Sequence, residues 1–346
     1  MNHQALEQTA RAMVAANRGI LAADESNATI EKRFKGPGIA CTEENRRAYR
    51  ELMFATPEME KYISGVIMYD ETIRQKTSDG TPFPKYLASK GVVPGIKVDR
   101  GTKALTNFPG ETITEGLDGL RERLAEYHGL GARFAKWRAV ITIGKSAAGW
   151  WMPTKFAIEA NAHALARYAA LCQEAGIVPI VEPEVMMDSD HDLARCEDVT
   201  DAVLDTVFAQ LAAHRVYLEG IVLKPNMVIS GQKCATQASV DEVARATVRC
   251  LKRHVPSAVP GIAFLSGGQT SELATAHLSA MNKLGPLPWH LTFSYGRALQ
   301  DGAIKGWKGE TANVAKAQAW FKHRALMNSK ACAGAYAADM EKASAA

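Results

Sequence analysis

The chain has only six cysteines among its 346 residues, and no two of them form a Cys-x-x-Cys motif. They occupy positions 41, 172, 196, 234, 250 and 332 and fall mostly within apolar stretches. Unpaired cysteines in such surroundings are typical of reduced thiols in a protein core. We therefore expect a reducing, cytoplasmic environment.

Several other features are missing as well. No apolar run approaches the ~20 residues needed to cross a bilayer, and Met1–Arg18 is a helix-like mixture of charged and apolar residues rather than a signal peptide. The 41 basic and 37 acidic residues give a formal charge of +4 without a basic tail or block. Neither a membrane nor a nucleic acid is an expected partner.

No His/His/carboxylate spacing suited to zinc occurs in the sequence. The run Asp188–Asp192 could chelate a divalent ion, but it directly follows a predicted strand and is more typical of a solvated turn. His163 lies in a predicted helix, where a packed or surface histidine is more common than a ligand. No metal and no cofactor are therefore predicted.

What the sequence does contain is a regular alternation of strands and helices. Apolar residues recurring every three or four positions predict helices at Lys155–Glu174, Val199–His214 and Val240–His254. Eight short apolar runs between the helical patterns read as strands: Arg18–Asp24, Ile63–Asp70, Pro94–Asp99, Ala132–Val140, Ile177–Val185, Gly220–Lys224, Gly261–Ser266 and His290–Ser294.

Eight such repeats predict a (β/α)8 barrel, with a doubly wound open sheet as the alternative. The hydrophobic content of 47% is enough for a sizeable core. We expect residues 1–346 to form one domain, with a helical extension at the N-terminus and charged helical residues at 31–56. The alanine-rich tail at 331–346 is expected to be mobile.

Lys224 ends the apolar run Gly220–Lys224 and is followed at once by a proline, which a central strand would not continue through. In a barrel the functional site lies at the carboxyl ends of the strands. A lysine held among apolar side chains and near other cations loses proton affinity, and its neutral amine can attack a ketone to form a Schiff base. Most lysines at strand ends reach water or pair with a carboxylate, so the neighbouring strand ends decide between the two interpretations.

Those other strand ends are unusually polar. They carry Asp24, Asp70, Lys97 with Asp99, Lys136 with Arg138, Glu182 with Glu184, Ser266 and Ser294. Three of them have charged residues at i and i+2, which project to the same face of a strand. A structural network of ion pairs would give the same pattern. Three pairs converging on one lysine favour a catalytic site, in which the glutamates would move protons.

The last two strand ends differ because they are rich in glycine and hydroxyl groups. Ser266-Gly-Gly-Gln-Thr-Ser-Glu272 leads into a helix, and Ser294-Tyr-Gly-Arg297 ends the eighth run. Barrels often bind phosphate at the loops after strands seven and eight, where backbone N–H groups at a helix start face the ligand. A phosphate group is therefore the predicted ligand.

With these residues in view, the chain strongly resembles the class I fructose-bisphosphate aldolases, a family that acts without metal. The motifs that carry the resemblance span residues 10–336 in the family's order and are Leu21-Ala-Ala-Asp-Glu-Ser26, Gly95-Ile-Lys-Val-Asp99, Phe134-Ala-Lys-Trp-Arg138, Val181-Glu-Pro-Glu184, Leu223-Lys-Pro-Asn-Met227, Phe264-Leu-Ser-Gly-Gly-Gln269 and Leu291-Thr-Phe-Ser-Tyr-Gly-Arg297.

The resemblance implies a glycolytic or gluconeogenic lyase that reversibly cleaves fructose 1,6-bisphosphate to dihydroxyacetone phosphate and glyceraldehyde 3-phosphate. Lys224 would form the Schiff base and Glu182 would shuttle protons. Glu184 and Lys136 would position and polarise the site, and Asp24 would accept the hydroxyl proton during cleavage. The substrate-binding residues implied are Ser266, Gly267, Ser294, Gly296 and Arg297 for one phosphate, with Lys32 and Arg33 at the rim, and Lys97 and Arg138 for the other.

The C-terminus departs from the family pattern. Many relatives end in a tyrosine that assists proton exchange at the enamine, whereas the last tyrosine here is Tyr336. The departure bears on the preference for bisphosphate over monophosphate rather than on cleavage itself. The family is usually tetrameric, so a homotetramer is expected.

Two rival interpretations remain open from sequence. A sugar-phosphate isomerase on the same barrel would use Glu182 or Glu184 as a base and would not need Lys224. A non-catalytic scaffold would bind sugar phosphates without turnover.

Overall fold

Eight parallel strands close into a barrel in the computed structural model, which describes residues 2–344. The order around the barrel is β1, β12, β11, β10, β9, β6, β3 and β2, and β2 pairs with β1 again. The barrel strands are β1 (Gly19–Ala23), β2 (Ile63–Met68), β3 (Val93–Lys97), β6 (Phe134–Ile141), β9 (Val178–Val185), β10 (Val222–Leu223), β11 (Gly261–Phe264) and β12 (His290–Tyr295).

Two short hairpins and a set of helices complete the described chain. The hairpins pair β4 (Thr102–Ala104) with β5 (Thr112–Thr114), and β7 (Gly144–Lys145) with β8 (Trp151–Met152). The α-helices are α1 (His3–Met13), α2 (Asn27–Lys35), α3 (Glu43–Phe54), α4 (Asp70–Arg74), α5 (Phe83–Ser89), α6 (Leu120–Gly129), α7 (Lys155–Glu174), α8 (Leu193–Ala213), α9 (Val240–His254), α10 (Ser271–Asn282), α11 (Arg297–Trp307) and α12 (Val314–Cys332). Single turns of 3-10 helix lie at Met59–Lys61, Leu218–Gly220 and Thr311–Asn313, and a longer one at Ala338–Ser344.

The predicted (β/α)8 barrel is confirmed, and the alternative of an open sheet is wrong because β1 is hydrogen-bonded to both β2 and β12. Each of the eight predicted runs contains or overlaps a barrel strand, with ends that differ by at most two residues. Predicted helices at Lys155–Glu174 and Val240–His254 coincide with α7 and α9. The charged stretch at 31–56 is helical as expected, but it divides into α2 and α3.

The interior of the barrel is apolar at its lower end and is closed there by α1. Buried side chains of six strands meet those of Leu6, Ala10 and Met13 in one cluster. Its strand members are Ile20, Ala22, Ile67, Phe134, Val178, Ile180, Val222 and Ala263. Because successive strand residues alternate between the interior and the helices, this cluster fixes which residues higher on each strand also point inward.

The tail that was expected to be mobile makes defined contacts in its described part. Residues Ala331 and Cys332 end α12, and Tyr336 is buried with its hydroxyl donating to Glu341 at 3.0 Å. Glu341 also pairs with Arg324 of α12. These contacts dock residues 336–341 against α12. Mobility of the tail stays a prediction. Its last two residues lie outside the described part of the chain.

None of the helices in the described part of the chain combines the length and the apolar character that crossing a bilayer requires.

The closing helix α1 gives a prediction about stability. Replacing the buried Leu6 by Ala should lower the free energy of unfolding by about 2–5 kcal/mol, because it leaves a cavity between α1 and the barrel floor. Urea unfolding followed by circular dichroism measures the change. Gln8→Ala, on the exposed face of the same helix, is the control and should change it by less than about 0.5 kcal/mol. Equal effects of the two substitutions would contradict the proposed packing.

Candidate active site

The charged strand ends continue the inward-facing rows that begin in the apolar floor of the barrel. On β9, Ile180 belongs to the floor and is followed at spacings of two by Glu182 and Glu184. On β10, Val222 belongs to the floor and Lys224 lies two residues further. Strand alternation therefore places all three charged side chains on the interior side of the carboxyl end.

The same alternation applies to the neighbouring strands. Phe134 on β6 precedes Lys136 and Arg138, and Ala22 on β1 precedes Asp24. The register puts Lys136 beside Lys97 of β3, and Arg138 beside Glu182 of β9. Every second residue of these strands faces the barrel interior. The inward-facing residues are apolar near the floor and charged at the carboxyl ends of the strands.

A continuous chain of ion pairs links these side chains at the mouth of the barrel. Lys224 Nζ lies 3.1 Å from Glu182 Oε1, and Glu182 Oε2 lies 3.4 Å from Lys136 Nζ. Lys136 Nζ is 2.8 Å from Asp24 Oδ2 and 3.9 Å from Asp99 Oδ2. Glu182 therefore stands between the two lysines, and Lys136 stands between three carboxylates.

Two further pairs complete the mouth. Lys97 Nζ lies 2.6 Å from Asp99 Oδ1, and Arg138 pairs with Glu184. The site so defined has four cations facing four carboxylates: Lys97, Lys136, Arg138 and Lys224 with Asp24, Asp99, Glu182 and Glu184. The side chains of Lys224 and Glu182 are only 5% and 4% exposed, so their charges depend on each other rather than on water for stabilisation.

The ionisation of Asp24 and Lys136 is strongly biased by this arrangement. Burial raises the pKa of Asp24, but the cations Lys136 and Lys224 lower it more, and the net pKa of Asp24 lies well below its usual value. Burial lowers the pKa of Lys136, but Asp24, Glu182 and Asp99 raise it further, so the net pKa of Lys136 lies well above its usual value. At neutral pH, Asp24 is an anion and Lys136 a cation.

The glycine-rich loops after β11 and β12 lie together, as predicted for a phosphate site. Arg297 begins α11 and donates a hydrogen bond to the carbonyl of Gly267. Gly267 has φ +55, in the left-handed region, and a Cβ there would press on the end of the Met187 side chain, so this turn favours glycine. In the part of the chain that the structure describes, no protein group hydrogen-bonds the buried hydroxyl of Ser294.

A cavity of about 720 Å³ opens beside the ion-pair chain. Its wall includes Asp24, Lys136 and Gly296 from the interior, with Lys97 and Arg138 across from Arg33. Lys224 and Glu182 are not part of this wall, but Lys136 contacts Glu182 and so connects the cavity to Lys224. The cavity is large enough for a sugar phosphate.

The structure does not bring every predicted residue to the cavity. Lys32 is exposed on α2 and is absent from the cavity wall, whereas Arg33 lines it. Glu184 pairs with Arg138 rather than with either lysine, so only Glu182 contacts both. The remaining predicted residues lie at the barrel mouth or on the two glycine-rich loops.

Two acidic residues of the site were not among the predicted functional side chains. Asp99 was noted as a strand-end residue without a role, yet it contacts both Lys97 and Lys136. Glu25 follows Asp24 directly and is buried between Arg33 and Arg50. Its position in sequence next to a strand end was a signal that could have identified it. Arg50 lies on a helix, and its position in the sequence gave no such signal.

The weak metal candidate at Asp188–Asp192 forms a turn in which Asp192 caps α8 and Ser189 hydrogen-bonds His191. Among residues 2–344, no group of three or more His, Cys, Asp or Glu side chains is arranged to hold a metal ion.

A buried lysine paired with a carboxylate at the mouth of a (β/α)8 barrel, next to glycine-rich loops, is the arrangement expected of a lysine-dependent enzyme acting on phosphorylated carbonyl compounds. Comparison with known proteins agrees. The sequence model of the family "Fructose-bisphosphate aldolase class-I" matches residues 5–346. The chain belongs to this family.

Relatives from several kingdoms match nearly the whole chain. A protein of Xanthomonas campestris described as a probable class 1 fructose-bisphosphate aldolase is 60% identical, over 96% of this chain and 99% of its own. Cytosolic fructose-bisphosphate aldolase 4 of Arabidopsis thaliana is 51% identical, over 94% of this chain and 81% of its own.

A solved structure agrees as well. The fructose-bisphosphate aldolase of Plasmodium falciparum, solved in complex with TRAP and a small-molecule inhibitor, superposes with a TM-score of 0.94 at 47% identity, covering 97% of this chain and 96% of its own. The predicted family, enzyme class and fructose 1,6-bisphosphate cleavage are thereby confirmed.

The biased ionisation of Asp24 gives a prediction about pH. In the native protein its lowered pKa contributes stability that is present above about pH 4 and lost below it. Lys136→Met removes the largest influence that lowers this pKa while burial, which raises it, remains, so the pKa of Asp24 should rise toward its unfolded value. The stability that Asp24 contributes above about pH 4 should then be lost in the variant.

The stability deficit of Lys136→Met relative to the native protein should therefore grow as the pH rises from about 3 to about 6, reaching about 3–5 kcal/mol. Unfolding midpoints measured across this range test it. Lys155→Met is the matched control, because Lys155 is 90% exposed and its pair with Glu159 is a surface contact. A deficit that did not change with pH would contradict the assignment.

Proposed function

We propose that Lys224 is the amine that forms a Schiff base with the ketone of fructose 1,6-bisphosphate. The observation that carries this proposal is the 3.1 Å contact between Lys224 Nζ and Glu182 Oε1, two side chains buried in the barrel mouth. Transfer of one proton across this contact converts the ammonium ion and carboxylate to a neutral amine and carboxylic acid. The neutral amine is the form that attacks a carbonyl carbon.

Glu182 is proposed to carry the protons that imine formation requires. Attack by the amine gives a carbinolamine, which loses its hydroxyl group as water when a neighbouring acid supplies a proton. Glu182 is within reach of Lys224 through one oxygen and of Lys136 through the other. Because Lys136 remains a cation, it stabilises Glu182 as an anion after each transfer and does not compete for the proton.

Asp24 is proposed to start carbon–carbon cleavage. It would accept the proton of the substrate hydroxyl whose oxygen becomes the aldehyde, while the electrons of the breaking bond move to the protonated imine and form an enamine. Its lowered pKa keeps it deprotonated, and Lys136 at 2.8 Å holds its position. Protonation of the enamine and hydrolysis of the imine then release dihydroxyacetone phosphate and restore Lys224.

Two sets of donors are proposed to hold the two phosphates. The phosphate next to the ketone would bind Ser266, Gly267, Ser294, Gly296 and Arg297, with Arg33 on the cavity wall nearby. The buried and unpaired hydroxyl of Ser294 supports this, because buried polar atoms normally have a partner. The second phosphate would bind Lys97 and Arg138, with Glu184 holding the guanidinium of Arg138 in place.

The tetramer and the cytoplasmic location are further proposals. Large apolar side chains exposed around the β7–β8 hairpin, Trp150, Trp151 and Phe156, offer a surface that subunits could bury. The cysteines of the described chain are all free, as in a reducing compartment. Sedimentation equilibrium and cell fractionation, respectively, test the two proposals.

The Schiff base gives a direct prediction. Borohydride added with dihydroxyacetone phosphate should reduce the imine and attach one substrate to Lys224, which intact-mass and peptide mass spectrometry detect. Lys224→Met should abolish both the adduct and triose phosphate production, since no other amine occupies this position. The same experiment with EDTA should give the same adduct.

Lys155→Met, at an exposed lysine, is the control for non-specific labelling. A sugar-phosphate isomerase would keep much of its activity in Lys224→Met, and a scaffold would bind sugar phosphate without producing triose phosphates. Either result, or loss of the adduct in EDTA, would refute the proposal.

Asp24→Asn should separate imine formation from cleavage. We expect the variant to form the borohydride adduct with dihydroxyacetone phosphate but to cleave fructose 1,6-bisphosphate at least about 100-fold more slowly, because a general base typically contributes 10²–10⁴-fold. A coupled assay for triose phosphate and the trapping experiment measure the two steps. If cleavage and trapping fell together, Asp24 would act in forming or maintaining the Lys224 site instead.

A further inference from the structure

A second cluster of buried charges, Glu25, Arg33 and Arg50, begins in the wall of the cavity and extends behind it. Glu25 is 8% exposed and its carboxylate is shared by two arginines, Arg33 of α2 and Arg50 of α3. Arg33 lines the cavity and is partly exposed. Arg50 is 3% exposed and is not part of the cavity wall. The proposed chemistry uses Arg33 alone among the three.

Hydrogen bonds fix the orientation of Glu25. Burial raises the pKa of Tyr49 well above its usual value, so its hydroxyl keeps its proton and donates to Gln300 Oε1 at 3.1 Å. The amide nitrogen of Gln300 must then point the other way, and it donates to Ala22 O at 2.6 Å and to Glu25 Oε1 at 3.0 Å. Glu25 is thereby held as an acceptor against Arg33.

The ionic balance of this cluster determines what Arg33 presents to the cavity. With Glu25 as its only charged partner, Arg33 would be half of a neutral pair and would attract a phosphate weakly. Arg50 Nη1 lies 2.7 Å from Glu25 Oε2 and neutralises the same carboxylate from behind. The three groups together keep one net positive charge, and Arg33 is the cation among them that lies on the cavity wall, beside Glu25.

The position of Arg33 connects this charge to the phosphate loops. A Cβ built on Gly296 would lie 3.6 Å from Arg33 Nη2, so the guanidinium faces the backbone that precedes α11. Gln300 lies on the first turns of the same helix. Glu25 therefore joins the end of β1 to three helices, α2, α3 and α11, at one point.

We propose that Arg50, although it does not reach the cavity, is a positioning residue for phosphate: by neutralising Glu25 it leaves Arg33 free to attract the phosphate group of the substrate. This inference rests on the proposed role of Arg33 in phosphate binding. It assigns a role in ligand affinity to a side chain that is completely enclosed by protein.

The test compares four variants by their KM and kcat for fructose 1,6-bisphosphate and by the inhibition constant of inorganic phosphate. Arg50→Met should raise KM and the inhibition constant about tenfold, because it removes one positive charge near the phosphate, and should leave kcat within about twofold. Arg50→Lys should restore both constants. The double variant Glu25→Gln with Arg50→Met removes the carboxylate as well, and its constants should return to native values or become tighter.

The rescue by the double variant is the decisive comparison, because a purely structural defect would add to a second substitution rather than be reversed by it. If Arg50→Met does not fold, the double variant still tests the inference. Replacing both members of a buried ion pair by neutral residues costs far less stability than removing one member. A double variant with phosphate affinity as weak as that of Arg33→Met would overturn the inference.

Arg33→Met separates this inference from the proposed function. If it leaves phosphate inhibition unchanged, the role of Arg33 is wrong. If it weakens inhibition while Arg50→Met does not, the role of Arg33 stands and that of Arg50 is wrong.

Discussion

The ion-pair chain from Lys224 through Glu182 and Lys136 to Asp24 is the constraint on which the site depends. Burying any of these charges alone would cost several kcal/mol, and only mutual pairing at 2.8–3.4 Å makes their burial tolerable. Equal numbers of cations and carboxylates at the barrel mouth satisfy this requirement. The same balance means that two entering phosphate groups need further donors, and we propose that the glycine-rich loops and the arginines of the wall supply them.

Much of this arrangement could be predicted from sequence because the strand ends of a closed barrel converge. The period of two on β6, β9 and β10 places Lys136, Glu182 and Lys224 on the interior face once the strands are known. The order of the strands then makes these three residues neighbours, because β9 lies between β6 and β10. The floor formed with α1 could not be predicted in the same way, because nothing in the pattern of a helix specifies which end of a barrel it will cover.

Apart from Asp99 and Glu25, which adjoin strand ends, the residues that sequence analysis missed or misplaced lie on helices. Arg50 is on a helix whose apolar face predicts only packing, and its contact with Glu25 depends on how α3 crosses the end of β1. Lys32 and Arg33 are adjacent on α2, yet a rotation of about 100° between successive helical residues sends only one of them to the cavity. Such positions depend on helix orientation, which side-chain type alone does not determine.

The ionisation of Lys136 and Asp24 also divides the proton-transfer work of the site. A lysine whose pKa lies well above its usual value cannot act as a base near neutral pH, and a carboxyl group whose pKa lies well below its usual value cannot act as an acid. In the proposed mechanism Lys136 is therefore limited to an electrostatic role and Asp24 to accepting a proton, in a contact that already orients it. The proposed donation of a proton during imine formation then falls to Glu182, the only carboxylate of the described site that contacts the amine of Lys224. The separation of acid and base between two carboxylates is thus imposed by the single cation that touches both.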